Sequence, residues 1–327
     1  RFISLGQYGT GEKWFYAFTI ESTPSQTSQI SSFANPFEAK SDNKHTTKYE
    51  WPNDFENHLK RRLSNASDNN NKRQTTESSM SAKNVKKVTP QNCFFCLSNP
   101  KAELHMVVSV GNSCYITIAK GPLPKSSKTL EFSGHGIIIP IEHVSSLRLL
   151  EPKDMTETQQ WKEMTQYQNS LVDAFMVGAP SLGLVFFSID RTENVHAHWQ
   201  FLPVPISNLE NFDQALDDTV ALNNEKYVRN QKLHFTKFAE MNDELKNILN
   251  NNDTIAFTIC QGDLRVWYVA TLVDGRIDLQ FPRRVLAQLL HLKKRVHWEK
   301  CKQYMKDEMR DAENFKKFFK DHDFTIE

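Results

Sequence analysis

The sequence has few cysteines and no long apolar run. No stretch of the 327 residues approaches the roughly 18 consecutive apolar residues that a membrane-spanning helix needs. Five cysteines, an odd number with one close pair, do not form the framework of a small secreted disulfide-rich protein. Because the chain also opens on Arg1, with strand-like residues rather than a signal peptide, we expect a soluble intracellular fragment whose natural N-terminus is missing.

The chain also lacks a net charge that would indicate a partner, since its formal charge is only +1. The hydrophobic fraction of 39% is low, which indicates a packed core diluted by polar linker. Between residues 58 and 92, eight Lys and Arg face two acids, and this segment includes Lys60, Arg61 and Arg62. These three side chains are candidate contacts for RNA phosphates, and a solvated linker without a partner is the alternative.

Four zones follow one another along the chain. Residues 1–20 predict a strand, a turn and a strand, and residues 21–90 predict a polar, basic and flexible linker. Residues 91–205 have a mixed α/β pattern, and residues 206–327 combine two strands with long helices from about Arg284. The predicted strands are 105–110, 114–119, 136–140, 183–188, 195–202, 254–259 and 264–272, and the predicted helices include 152–176 and 211–222.

A C-x-x-C pair, Cys93 and Cys96, has the spacing that lets two thiolates bind one tetrahedral ion. Alone, such a pair can also be a redox dithiol or two unrelated buried cysteines. His143, after a predicted strand, and His196, at the start of another, would complete a closed structural Zn²⁺ site. His105 and His135 compete with them as ligands. Four protein ligands would leave no open position for a substrate.

The segment His196-Ala-His198-Trp-Gln200 places three polar side chains at alternate positions of a predicted strand. Anchoring His196 on a metal would direct His198 and Gln200 into a common pocket. A neutral imidazole is a competent nucleophile toward phosphorus, and Gln200 can donate hydrogen bonds to a phosphate oxygen. Lys120, before Gly-Pro, would add a positive charge. The alternative is a half-buried strand whose histidines only satisfy backbone groups.

Several motifs, in order, resemble those of the CwfJ-like family, whose C-terminal domains are relatives of the histidine-triad superfamily. The resemblance to the first C-terminal domain lies in residues 93–100, 119–124, 136–143, 185–187 and 196–205. The resemblance to the second lies in residues 281–290, Trp298, Cys301 and residues 318–324. Residues 1–5 and 13–18 resemble the end of the family's metallophosphoesterase-like N-terminal domain. The resemblance therefore covers most of the chain except the linker.

This resemblance implies an α+β fold: a histidine-triad-like (HIT-like) antiparallel sheet with helices over 91–205, followed by a smaller α/β C-terminal domain over 206–327. It implies structural zinc on four ligands and a nucleophilic role for one histidine. The ligands are Cys93, Cys96, His143 and His196, and the nucleophile is His198. Gln200 stands where the hydrolase branch usually has a third histidine, so it cannot supply a proton to a leaving group near neutral pH.

The function implied by the resemblance is that of an accessory factor in intron-lariat turnover. Such a factor would bind RNA, the lariat debranching enzyme and spliceosome components, in the nucleus with the cytoplasm as a second compartment. Its pocket would grip or slowly cleave a phosphodiester. Two alternatives stay open: a nucleotidyl hydrolase or transferase acting on a small nucleotide, and a catalytically silent spliceosome-associated scaffold.

Overall fold

The computed structural model describes the backbone of residues 3–10 and 13–20, and both backbone and side chains of residues 88–273 and 275–326. Two compact units divide the chain, residues 1–64 and residues 65–327. In the first unit, strands β1 (Ile3–Thr10) and β2 (Lys13–Ile20) pair antiparallel, with Ile3 opposite Ile20. The two strands predicted within residues 1–20 are confirmed. Residues 11 and 12, where the turn is predicted, and the basic residues Lys60, Arg61 and Arg62 lie outside the described residues.

The second unit is built on one eight-stranded sheet in which every neighbouring pair is antiparallel. The sheet order is β3-β4-β5-β7-β6-β9-β10-β8. The mixed α+β class with an antiparallel sheet is therefore confirmed. The strands are β3 (Val107–Val110), β4 (Cys114–Ile118), β5 (Gly136–Pro140), β6 (Leu182–Asp190), β7 (Trp199–Pro205), β8 (Thr236–Phe238), β9 (Asp253–Gln261) and β10 (Leu264–Leu272).

Six α-helices accompany this sheet within the described residues. The predicted helix 152–176 starts later than expected, because the side chain of Thr158 accepts a hydrogen bond from the Trp161 amide and caps the helix there. The long helices predicted from about Arg284 onward correspond to two helices, Phe281–Leu289 and Met305–Phe319. The helices are α1 (Gln159–Gly178), α2 (Ile206–Leu209), α3 (Phe212–Lys226), α4 (Asp243–Asn251), α5 (Phe281–Leu289) and α6 (Met305–Phe319).

The sheet does not stop at the expected boundary between residues 205 and 206. Strand β6 pairs with β9 from Leu184 opposite Cys260 to Asp190 opposite Thr254. Residues 91–205 and 206–327 therefore share one sheet, and the expected arrangement of a histidine-triad-like domain followed by a smaller α/β domain is not confirmed. The motifs of each half predicted the strands, but the pairing of strands from the two halves is a long-range contact that no local pattern encodes.

A separate hydrophobic core lies on each face of the sheet. Alternate residues of β6 point to opposite faces, so Phe186 joins the core that contains Phe175 of α1 and Phe315 of α6, whereas Val185 joins the core that contains Leu286 of α5. Helices from the C-terminal half therefore cover both faces. In the described part of the chain, no helix is both long and apolar enough to span a bilayer.

Candidate metal centre and phosphate pocket

Cys93, Cys96, His143 and His196 converge, with one potential ligand atom from each within 4.8 Å of all the others. The Nδ1 atom of His196 lies 3.4 Å from the sulfur of Cys93 and 3.6 Å from that of Cys96. The Nδ1 atom of His143 lies 3.1 Å from the sulfur of Cys96. Both cysteines and His196 are buried, and neither cysteine forms a disulfide. The four residues predicted as metal ligands are thus brought together.

The hydrogen bonds of the two imidazoles leave the nitrogens that face the sulfurs free to coordinate. The Nε2 atom of His196 lies 2.9 Å from the carbonyl oxygen of Pro140, and that of His143 lies 3.1 Å from the carbonyl oxygen of Val88. Because a carbonyl only accepts, Nε2 carries the proton in both rings and Nδ1 presents its lone pair. Histidine ligands of metals commonly donate their second ring nitrogen in this way.

The spacing of the cluster fits a tetrahedral zinc site. With Zn–S bonds of about 2.3 Å and Zn–N bonds of about 2.0–2.1 Å, tetrahedral geometry separates a sulfur and a nitrogen ligand by about 3.6 Å. The three observed sulfur–nitrogen distances, 3.1, 3.4 and 3.6 Å, are at or slightly below this value. The residues present therefore fit Zn²⁺ in donor type, number and spacing.

The two histidines that competed as ligands have other partners. The Nε2 atom of His105 forms a buried pair with Glu308 at 2.9 Å. His135 accepts a hydrogen bond at Nδ1 from the backbone amide of Leu123, at 3.0 Å. Among the described residues, no other group of three or more His, Cys, Asp or Glu is arranged for a metal.

The two thiols of the cluster shift each other's pKa in opposite directions. The hydrogen bond from Cys96, helped by His196 and opposed by burial, lowers the pKa of Cys93 to about 3. The same hydrogen bond, together with burial, raises the pKa of Cys96. The lowered pKa of Cys93 favours its thiolate, which is the form of cysteine that binds metal.

The segment that carries His196 is a loop rather than a strand. Strand β7 begins at Trp199, four residues after the predicted start, so the expected strand alternation does not apply to His196 and His198. The loop is held instead by the Ala197 amide, which donates to the carbonyl of Val144 at 2.7 Å. The prediction of a strand failed because cluster contacts, and not a ladder partner, fix this backbone.

A pocket of about 440 Å³ adjoins the cluster, and both His198 and Gln200 line it. The Nδ1 atom of His198 lies 3.0 Å from the carbonyl oxygen of His196, so Nδ1 carries the proton and Nε2 has the lone pair. Burial lowers the pKa of His198, which favours the neutral ring. The ring of Phe95, between the two cysteines, packs against His198 with a centroid distance of 4.8 Å.

Gln200 is oriented by His135. Since the Leu123 amide donates to Nδ1 of His135, the ring proton is on Nε2, which donates to Oε1 of Gln200 at 3.2 Å. The amide nitrogen of Gln200 then lies 3.4 Å from Nε2 of His198. Burial, together with the charge of Arg283, lowers the pKa of His135 to about 3. The neutral His135 therefore turns the donor end of Gln200 toward Nε2 of His198.

Lys120 lines the same pocket, but its charge is balanced. Its ammonium group forms an ion pair with the carboxylate of Glu103, and both side chains are about a quarter exposed. The ammonium also lies 5.9 Å from the centre of the exposed ring of Phe94. The sequence predicted the position of Lys120 in the pocket but gave no signal for its partner, which is 17 residues away.

The sequence motifs missed the pocket residues that come from the C-terminal half. The N-cap of α5 contributes Gln280, its first turn contributes Pro282 and Arg283, and the segment before α6 contributes Trp298. Trp298, expected to be a core or interface aromatic, is half-buried on the pocket wall. No local sequence spacing links these residues to His198, because they lie far from it in the sequence and only the folded chain brings them to the same pocket.

Fold and site together define a class: an α+β protein whose antiparallel sheet carries a Cys₂His₂ cluster beside a histidine–glutamine pocket. Two domain families match the chain, described as "Protein similar to CwfJ C-terminal" over residues 80–217 and "Protein similar to CwfJ C-terminus 2" over residues 224–325. The chain belongs to this CwfJ-like family.

Curated relatives match over much of the chain. The CWF19-like protein DRN1 of Saccharomyces cerevisiae is 33% identical over 343 residues, which cover 100% of this chain and 64% of that protein. The CWF19-like protein mug161 of Schizosaccharomyces pombe is 32% identical over 73% of this chain and 39% of its own length. The zinc finger CCCH domain-containing protein 64 of Arabidopsis thaliana is 32% identical over 71% and 36%, respectively. The chain thus spans less than two thirds of each of these relatives.

Proposed function

We propose that this chain is part of a nuclear RNA-processing factor of intron-lariat turnover, whose pocket grips a phosphate ester of RNA. The observation that carries the proposal is the unprotonated Nε2 of His198, 3.4 Å from the donor amide of Gln200 inside a pocket. A nucleophilic nitrogen and a hydrogen-bond donor at one point suit a phosphoryl group. The family membership supports RNA, the lariat debranching enzyme and spliceosome components as partners.

The proposal includes Zn²⁺ on Cys93, Cys96, His143 and His196. The bound ion would supply structural anchoring, because four protein ligands leave no open position. By fixing His196, the ion would also fix the carbonyl of His196, which holds the ring of His198 in one tautomer. In this proposal, metal binding by the loop therefore orients the histidine of the phosphate pocket.

The groups around His198 favour gripping over fast cleavage. Attack by Nε2 would form an N–P bond and break the P–O bond, and the departing oxygen would then need a proton. Gln200 has none to give near neutral pH, and His135, with its pKa of about 3, stays neutral. Esters with a weakly basic leaving group need no such proton. For these esters a second candidate function, nucleotidyl hydrolysis or transfer on a small nucleotide, is favoured by the pocket volume of about 440 Å³.

The test combines zinc quantification with binding and cleavage of linear and 2′-5′-branched RNA of equal length. The wild-type chain should hold one zinc and prefer the branched RNA. His198→Ala should keep the zinc and bind the branched RNA at least tenfold more weakly. The exposed His234 provides the control, since His234→Ala should match the wild type.

Three results would reject the proposal. If His198→Ala binds branched RNA as the wild type does, the pocket is not the RNA site. If the wild type cleaves small nucleotides but shows no preference among RNAs, the second candidate replaces the first. If neither ligand binds while the zinc and the fold are intact, the chain is a scaffold.

A further inference from the structure

Arg283 is a buried cation on the wall of the pocket. It lies in the first turn of α5, is only 7% exposed, and lines the cavity together with Gln280, the N-cap residue of α5. Its Nε and Nη2 atoms donate to the carbonyl of Arg295 at 3.2 and 3.0 Å. Two of the five guanidinium N–H groups are thereby fixed, and the orientation of the group is set.

No carboxylate of residues 88–273 or 275–326 forms a salt bridge with the guanidinium of Arg283. The charge of Glu299 acts on it only from beyond salt-bridge distance, and the side chain of Cys301 is a hydrogen-bond partner. Lys120, in the same pocket, is paired with Glu103. A buried charge without a partner destabilises a protein unless an anion compensates it.

Arg283 also acts on the residues that orient the nucleophile. Its charge contributes, after burial, to the low pKa of His135, and so lies near that ring. His135 donates to Gln200, and Gln200 contacts His198. Arg283, which has no salt bridge, and the nucleophilic nitrogen thus belong to one connected set of side chains in the pocket.

We propose that Arg283 is the cation that binds the phosphate oxygens of a nucleotide or RNA phosphate held next to His198. The inference rests on the proposed function and assigns its phosphate contact to a residue outside the histidine motif. A guanidinium fork binds phosphate bidentately, which also orients the group. Since His198 lies in the region matched by the first domain family and Arg283 in that matched by the second, the binding site is composite.

The two parts of this composite site are locked together. The Nε and Nη2 atoms of Arg295 donate to the carbonyls of Leu123 and Pro122 at 2.7 and 2.9 Å. At Gly121, a Cβ atom would lie 2.2 Å from the carbonyl oxygen of Trp298, so a side chain there would separate the walls. The relative position of Arg283 and the histidine loop is therefore a fixed property of the fold.

The test measures binding of adenosine 5′-monophosphate and of adenosine by calorimetry, using the 327-residue chain. The difference between the two ligands isolates the phosphate. The wild type should bind the monophosphate at least tenfold more tightly than adenosine, and Arg283→Gln should lose this preference. The neighbouring Arg284 is a matched control, because it pairs with Asp278 and does not line the pocket, so Arg284→Gln should keep the preference.

A second variant avoids removing the buried guanidinium. Gln280→Glu places a carboxylate on the pocket wall and adds an acid at the start of α5, where helices tolerate it. This substitution should weaken the binding of the monophosphate at least tenfold and leave the binding of adenosine unchanged. A folded Arg283→Gln or Gln280→Glu with the wild-type preference would overturn the inference, as would a wild type without any preference. If the wild-type chain does not bind branched RNA, the proposed function is rejected instead.

Discussion

The Cys₂His₂ cluster and the adjoining pocket contain two histidines separated by one residue, and the two rings are oriented in opposite ways. His196 donates from Nε2 to the carbonyl of Pro140, which leaves Nδ1 facing the sulfurs of the cluster. His198 donates from Nδ1 to the carbonyl of His196, which leaves Nε2 beside Gln200. The ring nitrogen that a backbone carbonyl occupies thus decides whether the other one faces thiols or a pocket.

The two regions also differ in how their charges are balanced. The cluster concentrates thiol and imidazole ligands at short range, a set that a divalent cation completes. The pocket contains His198 and His135, whose pKa values burial lowers, together with Arg283, which forms no salt bridge, a set that suits an anion. In the proposed function, the metal and the phosphate would therefore bind to different groups.

The largest expected effect is on the cluster. Cys93→Ala removes one ligand, so we predict loss of the zinc and a fall in the free energy of unfolding of about 5 kcal/mol or more, since structural zinc binding is coupled to folding. Urea unfolding and zinc quantification measure both. Cys260 in β9 is the control, because it is equally buried but outside the cluster.

Cys260→Ala should retain the zinc and lose only about 1 kcal/mol, as a small cavity would cause. Equal losses in the two variants, with zinc unchanged in both, would mean that the cluster is four packed side chains and not a metal centre.

The second prediction concerns the missing proton donor of the pocket. Gln200→His introduces a group that can protonate a leaving oxygen, and general acid catalysis contributes about 10²–10⁴-fold. We expect hydrolysis of a dinucleotide to accelerate by about 100-fold, while a p-nitrophenyl nucleotide ester, with its weakly basic leaving group, changes by less than about tenfold. The comparison of the two substrates is the measurement.

An equal acceleration of both substrates would show that Gln200→His acts on something other than proton donation. The double variant Gln200→His with His198→Ala is the control for the nucleophile, and it should be inactive toward both substrates.

The third prediction uses the pKa of about 3 for the buried His135. Below about pH 6.5 the unfolded chain binds a proton at this residue and the folded chain does not, so the free energy of unfolding falls as the pH falls toward 3. The contribution approaches about 1.4 kcal/mol for each pH unit. Urea unfolding at pH 7, 6 and 5 should show a shallower loss for His135→Gln than for the wild type.

The exposed His297 gives the matched substitution for this comparison. His297→Gln should follow the wild type over the same pH range. If His135→Gln is as acid-sensitive as the wild type, then acid destabilisation comes from the cluster and not from the pocket.

The difference between the two regions also explains what sequence could predict. The C-x-x-C spacing and the supply of histidines predicted a metal cluster, the family resemblance selected its four ligands, and the structure brings these residues together. Most strands of the sheet were predicted as well, since their apolar patterns are local. The start of β7 was not, because side-chain contacts hold the preceding loop.

The pocket depended on contacts between distant residues and was predicted only in part. His198, Gln200 and Lys120 carried recognisable motifs, but Glu103, His135 and Arg283 acquired their roles through packing across the sheet. The chemistry of a motif residue is local, whereas its charge balance and tautomer are set by whatever the fold places against it.

The smallest expected effect tests that balance at Lys120. The double variant Lys120→Gln with Glu103→Gln removes both members of the ion pair and leaves the net charge of the pocket unchanged. We therefore expect the affinity for adenosine 5′-monophosphate to change by less than about threefold, since exposed and partly exposed ion pairs contribute little. The single variant Glu103→Gln should tighten binding, because it frees a cation. A tenfold loss in the double variant would instead make Lys120 the phosphate contact.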